Sequence, residues 1–154
     1  MRRRTALIGL ALGGAALSMP RLVLAKTPEV YANSNNQLFN EGFDPVGYFT
    51  DGATVRGDAS IATTYRGAII NFASESNRDT FLADPDTYFP RYGGYCAFAM
   101  AHNAIAPTVP EAWTIHTDGR LYLNFSLGVR DEWRKDPDGY IALADPNWPG
   151  ILDR

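Results

Sequence analysis

Cysteine is nearly absent: Cys96 is the only one in 154 residues. No internal disulfide can form, so the fold has to hold by packing. Histidine is almost as scarce, with His102 and His116 the whole supply, and methionine occurs only as Met1, Met19 and Met100. A structural zinc site that draws on four Cys or His ligands is disfavoured, because the chain has one cysteine and two histidines. Positive charge is also short. Lysine and arginine number 14 against 17 acids, a net charge of −3, and no basic stripe interleaved with aromatics runs along the chain. Such a surface repels phosphate backbones, which argues against nucleic acid as a partner. Beyond Lys26 there is no run of the roughly eighteen apolar residues that a membrane helix needs.

What is present begins with a leader. Met1-Arg2-Arg3-Arg4 precedes an apolar, Gly- and Ala-rich stretch from Ala6 to Leu17, and Val23-Leu24-Ala25 offers small-residue cleavage chemistry. That is the pattern of a signal peptide over residues 1–25. The arginine cluster ahead of a weakly hydrophobic run resembles a twin-arginine signal, with an ordinary secretory signal as the alternative. Cleavage after Ala25 removes four arginines and no acid, taking the net charge from −3 to −7. Some 129 residues remain, enough for one domain with a real core. The expectation is a periplasmic or secreted protein whose mature form is not embedded in a membrane.

Residues 26–42 are polar, with Asn33-Ser34-Asn35-Asn36-Gln37 and little periodicity, and read as an arm leading into a domain over residues 43–154. Val46 to Thr50 reads as a short strand between Asp44-Pro45 and Asp51-Gly52. Ile61 to Ser74 reads as a hairpin turning at Arg66-Gly67. Ser74 is placed to cap a helix that starts at Glu75 and stops at Asp84-Pro85. Gly93-Gly94 is a backbone hinge, and the alanine-rich stretch Tyr95 to His102 predicts a short helix. Ala112–His116 and Arg120–Phe125 alternate around Thr117-Asp118-Gly119, a second hairpin. Ser126 caps a helix through Trp133, stopped by Pro137, and Gly139–Ala144 is a last amphipathic stretch before Pro146-Asn147-Trp148-Pro149. Strand and helix pieces outside regular βαβ units predict an α+β fold, a small antiparallel sheet built from hairpins with short helices packed on it.

Several segments together resemble the YHS domain family in its longer, exported, stand-alone form. They are Phe43-Asp44-Pro45-Val46-Gly47-Tyr48-Phe49, then Tyr65-Arg66-Gly67 leading to Phe72-Ala73-Ser74-Glu75-Ser76-Asn77-Arg78, and Phe81 with Asp84-Pro85 and Tyr88. They continue through Tyr92-Gly93-Gly94-Tyr95-Cys96-Ala97, Glu111-Ala112-Trp113-Thr114, Leu121-Tyr122-Leu123-Asn124 and Ala144-Asp145-Pro146-Asn147-Trp148-Pro149. The resemblance implies a metal-handling context, because similar short modules sit beside copper and heavy-metal transporters or in multicomponent hydroxylases. The cysteine positions of that short metal-type motif correspond here to Gly47, Ala73 and Asn77. None donates a thiolate, so the short-form metal site does not carry across.

Three readings of Cys96 follow. A thiolate with the thioether of Met100 and an imidazole from His102 or His116 suits Cu(I), since soft sulfur donors select a soft ion. This makes Cys96, Met100, His102 and His116 the candidate metal ligands and copper the candidate cofactor of a non-enzymatic module. On a regular helix Cys96 and Met100 share a face while His102 points elsewhere. The second reading is a metal-free interaction or structural domain with Cys96 buried, its partner an unidentified periplasmic protein. The third is a thiol-dependent enzyme, which requires Cys96 accessible, with a lowered pKa and a histidine base in reach.

Overall fold

Turn and cap residues divide the chain into its elements. The computed structural model describes residues 26–154; the expected signal peptide lies outside the described residues. β1 (Asp58–Tyr65) pairs antiparallel with β2 (Ala68–Phe72), Tyr65 opposite Ala68. The turn between them is Arg66-Gly67, both at positive φ (48° and 84°), the backbone sign that matches strand twist. Ser74 accepts a hydrogen bond from the Asn77 N–H at the start of helix α2 (Glu75–Ala83). Asp84 closes that helix and caps the next, α3 (Pro85–Tyr88), by accepting from the Thr87 N–H.

Helix α4 (Ala97–Ala101) follows the Gly93-Gly94 turn. β3 (Trp113–Ile115) and β4 (Leu121–Leu123) form the second hairpin. Ser126 and Asp136 then cap α5 (Leu127–Trp133) and α6 (Pro137–Ala144) through the Val129 and Gly139 N–H groups. The class is α+β. The two hairpins remain separate two-stranded sheets, and a pair of strands alone is marginal in water, so each depends on the side chains packed on it.

Residues 46–50, expected as a strand, are helical: α1 spans Gly47–Thr50. The cause is the buried carboxylate of Asp44. One oxygen accepts from the Val46 N–H at 2.8 Å, an Asx turn that bends the chain into a helical step. The other accepts from the Ala73 N–H at 2.8 Å and from Asn77 Nδ2 at 2.7 Å, fastening this turn to the β2–α2 junction. Tyr48 is thereby buried, and its hydroxyl donates to the Pro110 carbonyl while accepting from Asn40 Nδ2.

The buried side chains fall into two clusters. One gathers Val30, Phe39, Val46, Tyr48, Ile70, Phe72, Phe81 and Phe89 under the first hairpin. The other gathers Tyr92, Tyr95, Met100, Trp133, Ile151 and Leu152 around α4, α5 and the tail. β4 is the wall between them. Its period of two sends Leu121 and Leu123 into the first cluster and Tyr122 into the second, so all three residues of this short strand are buried.

The segment read as an arm joins this packing. Val30 and Phe39 are core residues, Phe39 N–H donates to the Ile69 carbonyl, and Tyr31 N–H donates to the Gly93 carbonyl at 2.9 Å. Its polar run hid this, because the apolar residues that dock it stand at the two ends. The crossing over Gly93 leaves no room for a side chain. A Cβ there would lie 1.9 Å from the Glu29 carbonyl oxygen, and the residue sits at φ +62°, so backbone conformation and space both demand glycine. Gly93→Ala is expected to lower stability by at least about 2 kcal/mol in urea unfolding. Gly128→Ala, in α5 where a Cβ meets only Ser126 Oγ at 4.0 Å, is expected to raise it by up to about 0.5–1 kcal/mol. Equal effects of the two substitutions contradict the crossing.

Candidate functional site

Cys96 stands at the N-cap position of α4, with φ −59° and ψ 118°, and its side chain makes no cap bond. The thiol is directed at Asn124, in the segment that leaves β4. Asn124 is fully buried, and its Oδ1 accepts from the Phe98 N–H at 3.1 Å and from the Cys96 thiol at 3.7 Å. The amide of another segment thus supplies the cap that α4 lacks. Its orientation is dictated by chemistry: with Nδ2 in that place, two donors would face each other.

Backbone bonds hold the arrangement from both sides. Cys96 N–H donates to the Ala106 carbonyl, Asn124 N–H to the Ala112 carbonyl, and Val109 N–H to the Asn124 carbonyl. Cys96 is 1% exposed. Burial pushes its thiol pKa up, against the opposing pull of backbone N–H groups of Ala99, Phe125 and Phe98 near the sulfur. The thiol stays neutral, the opposite of what an activated nucleophile needs.

Of the expected companions, Met100 lies one helical turn on, buried in the second cluster. His102 follows the end of α4, exposed, its Nδ1 2.8 Å from the Phe98 carbonyl oxygen and its ring 4.4 Å from that of Phe98. His116 lies beyond the end of β3. Its ring meets Tyr122 and Trp133 edge-on and its Nε2 is 2.9 Å from Asp138 Oδ1. Each imidazole therefore has a nitrogen engaged with a partner other than Cys96. Among the described residues no group of three or more His, Cys, Asp or Glu side chains is arranged to hold a metal ion, and no helix is long and apolar enough to cross a membrane.

Sequence reading missed Asn124, whose role depends on an element 26 residues away. Buried asparagine directly after an apolar strand was its one available signal, since an enclosed amide oxygen there calls for donors; Nδ2 has no partner among the described residues. Asp44, read mainly as a turn former, is also a long-range tie. Comparison with protein-family models, with curated proteins and with solved structures finds no match.

Burial also raises the phenol pKa values of Tyr48, Tyr92 and Tyr122, the last two assisted by their bonds to Asp145 and Asp118. The unfolded chain releases a thiol proton near about pH 8.5 and phenol protons near about pH 10, while the folded chain holds them longer. The unfolded state then binds fewer protons, so these groups contribute stability that is complete below the unfolded values and is lost as pH rises. Urea midpoints are expected to fall from about pH 9 upward; a midpoint that holds or rises to about pH 11 contradicts the burial of these groups. Asn124→Ala is expected to cost about 2 kcal/mol, a lost cap plus a buried donor left open, and a change below about 0.5 kcal/mol contradicts the capping role.

Proposed function

We propose that the chain is an exported, non-enzymatic module of the YHS type that serves as a structural or interaction domain, with Cys96 built into its fold. The observation that carries this reading is the buried thiol directed at Asn124 Oδ1, beside a helix that the same oxygen caps. In this role the Gly93–Ala97 segment works as a junction. Gly93 admits the 29–31 crossing and Gly94 the ring of Phe39, the Tyr95 hydroxyl donates to the Pro28 carbonyl, and the Cys96 thiol donates to Asn124. A small hydrophobe with a weak S–H donor suits that place. The YHS resemblance of the motifs from Phe43 to Pro149 supports the family, and the leader-like residues 1–25 support export to the periplasm or exterior.

Copper binding is the second reading, and one observation favours it: Cys96 and Met100 are one turn apart and both buried, so two soft sulfurs lie on one short helix. Against it, the imidazoles of His102 and His116 are held by Phe98 and Asp138. Catalysis through Cys96 has less support still, because the upward shift of the thiol opposes it.

Anaerobic titration of the reduced protein with Cu(I) against a competing chelator separates the first two readings. The expected result is no stoichiometric uptake, with Cys96→Ser and Met100→Leu behaving as the parent. Met100→Leu conserves volume and keeps the core filled, so it reports even where Cys96→Ser fails to fold. Stoichiometric uptake that Met100→Leu weakens overturns the metal-free reading.

A further inference from the structure

Away from Cys96, three arginines line one cleft of about 280 Å³. Arg66 comes from the β1–β2 turn, Arg91 from the turn after Pro90, and Arg120 from the β3–β4 connection. Trp148, half-buried, supplies the accessible aromatic wall over the buried Tyr92, and Asp86 stands at the lining as the one acid. Three guanidinium groups around one concavity repel one another, and they do so on a protein whose net charge is −3.

The local acids do not neutralise the three equally. Arg91 is paired with Asp145 at 2.7 Å, and the same carboxylate oxygen accepts from the Tyr92 hydroxyl at 2.8 Å. Arg66 is shared between Glu29 at 2.8 Å and Asp86 at 3.5 Å, the latter a long contact to a carboxylate that is 82% exposed. Arg120 has no ion pair and no side-chain hydrogen bond among the described residues. The nearest acid in sequence, Asp118, is committed to the Arg120 backbone N–H and to the Tyr122 hydroxyl, at 2.9 and 2.6 Å. One full positive charge and part of another therefore face the cleft.

We propose that this cleft binds a small organic oxyanion, a carboxylate or phosphate ester, whose charged end meets Arg120 and Arg66 and whose carbon body lies against the half-buried Trp148. Guanidinium groups present paired N–H donors that match either anion. A concavity with one sign of excess charge concentrates ligands of the other sign. At about 280 Å³ the cavity falls just below the usual range for small-molecule sites, roughly 300–1,000 Å³, so the ligand is a single ring or short chain. The site goes beyond the structural reading of Cys96 and does not depend on it.

Isothermal titration of the purified protein with benzoate and with phenyl phosphate, in low-chloride buffer, tests it. Saturable heat with either probe is expected, weakened at least about tenfold in Arg120→Gln. Arg120 is exposed and its side chain is unpartnered, so the variant's ligand-free melting temperature should match that of the parent. A preference for one probe identifies the anion as carboxylate or phosphate, and both outcomes support the site. No saturable heat with either probe up to about 10 mM, a ceiling well above millimolar affinity, overturns it, as does binding that Arg120→Gln leaves unweakened.

Discussion

Much of this molecule depends on one buried carboxamide. Asn124 leaves β4 fully enclosed, holds the 109–112 loop through its backbone, and holds the start of α4 through its side chain. A five-residue helix has little stability of its own, because nucleation costs more than so short a ladder returns. An oxygen supplied from elsewhere in the chain is what makes α4 worth forming. The cap then fixes where Cys96 points, and that direction removes the thiol from solvent. The fate of the only cysteine is a consequence of helix capping.

The same economy of elements runs through the rest of the fold. β4 has three residues, yet it divides two aromatic-rich clusters because its alternate side chains serve one cluster each. Tyr122 stacks near Trp133 at 4.9 Å and Tyr92 meets Trp148 at 6.2 Å, pairs that add about 0.5–1.5 kcal/mol each beyond simple burial. Packing of this kind replaces the disulfides that the composition forbids. It also brings three distant turns to one edge, where Arg66, Arg91 and Arg120 meet. The cleft is a by-product of how the hairpins and the tail close on Tyr92.

Local signals were legible where one residue decides the outcome nearby. Ser74, Asp84 and Ser126 cap the helices that follow them, and Arg66-Gly67 turns the first hairpin. Failures came where a distant group decides. Five residues from Val46 to Thr50 fit strand or helix equally by periodicity, and only the reach of Asp44 to Ala73 and Asn77 settles the matter. The place of Asn124 beside Cys96 was not legible either, because sequence distance says nothing about a contact across 28 positions. Residues 26–42 read as an arm because Val30 and Phe39 stand at either end of a polar run, while the glycine that receives the 29–31 crossing is more than fifty positions on.

The placement of the thiol is open to one direct test. With the cysteine Cβ labelled by 13C, its chemical shift can be followed against pH in the folded protein, which reports ionisation of the single sulfur without any reagent. A midpoint above the ordinary value of about 8.5 is expected, as burial beside an amide oxygen dictates. A midpoint at or below that value means a thiolate stabilised at the start of α4, and it contradicts the structural role given to Cys96.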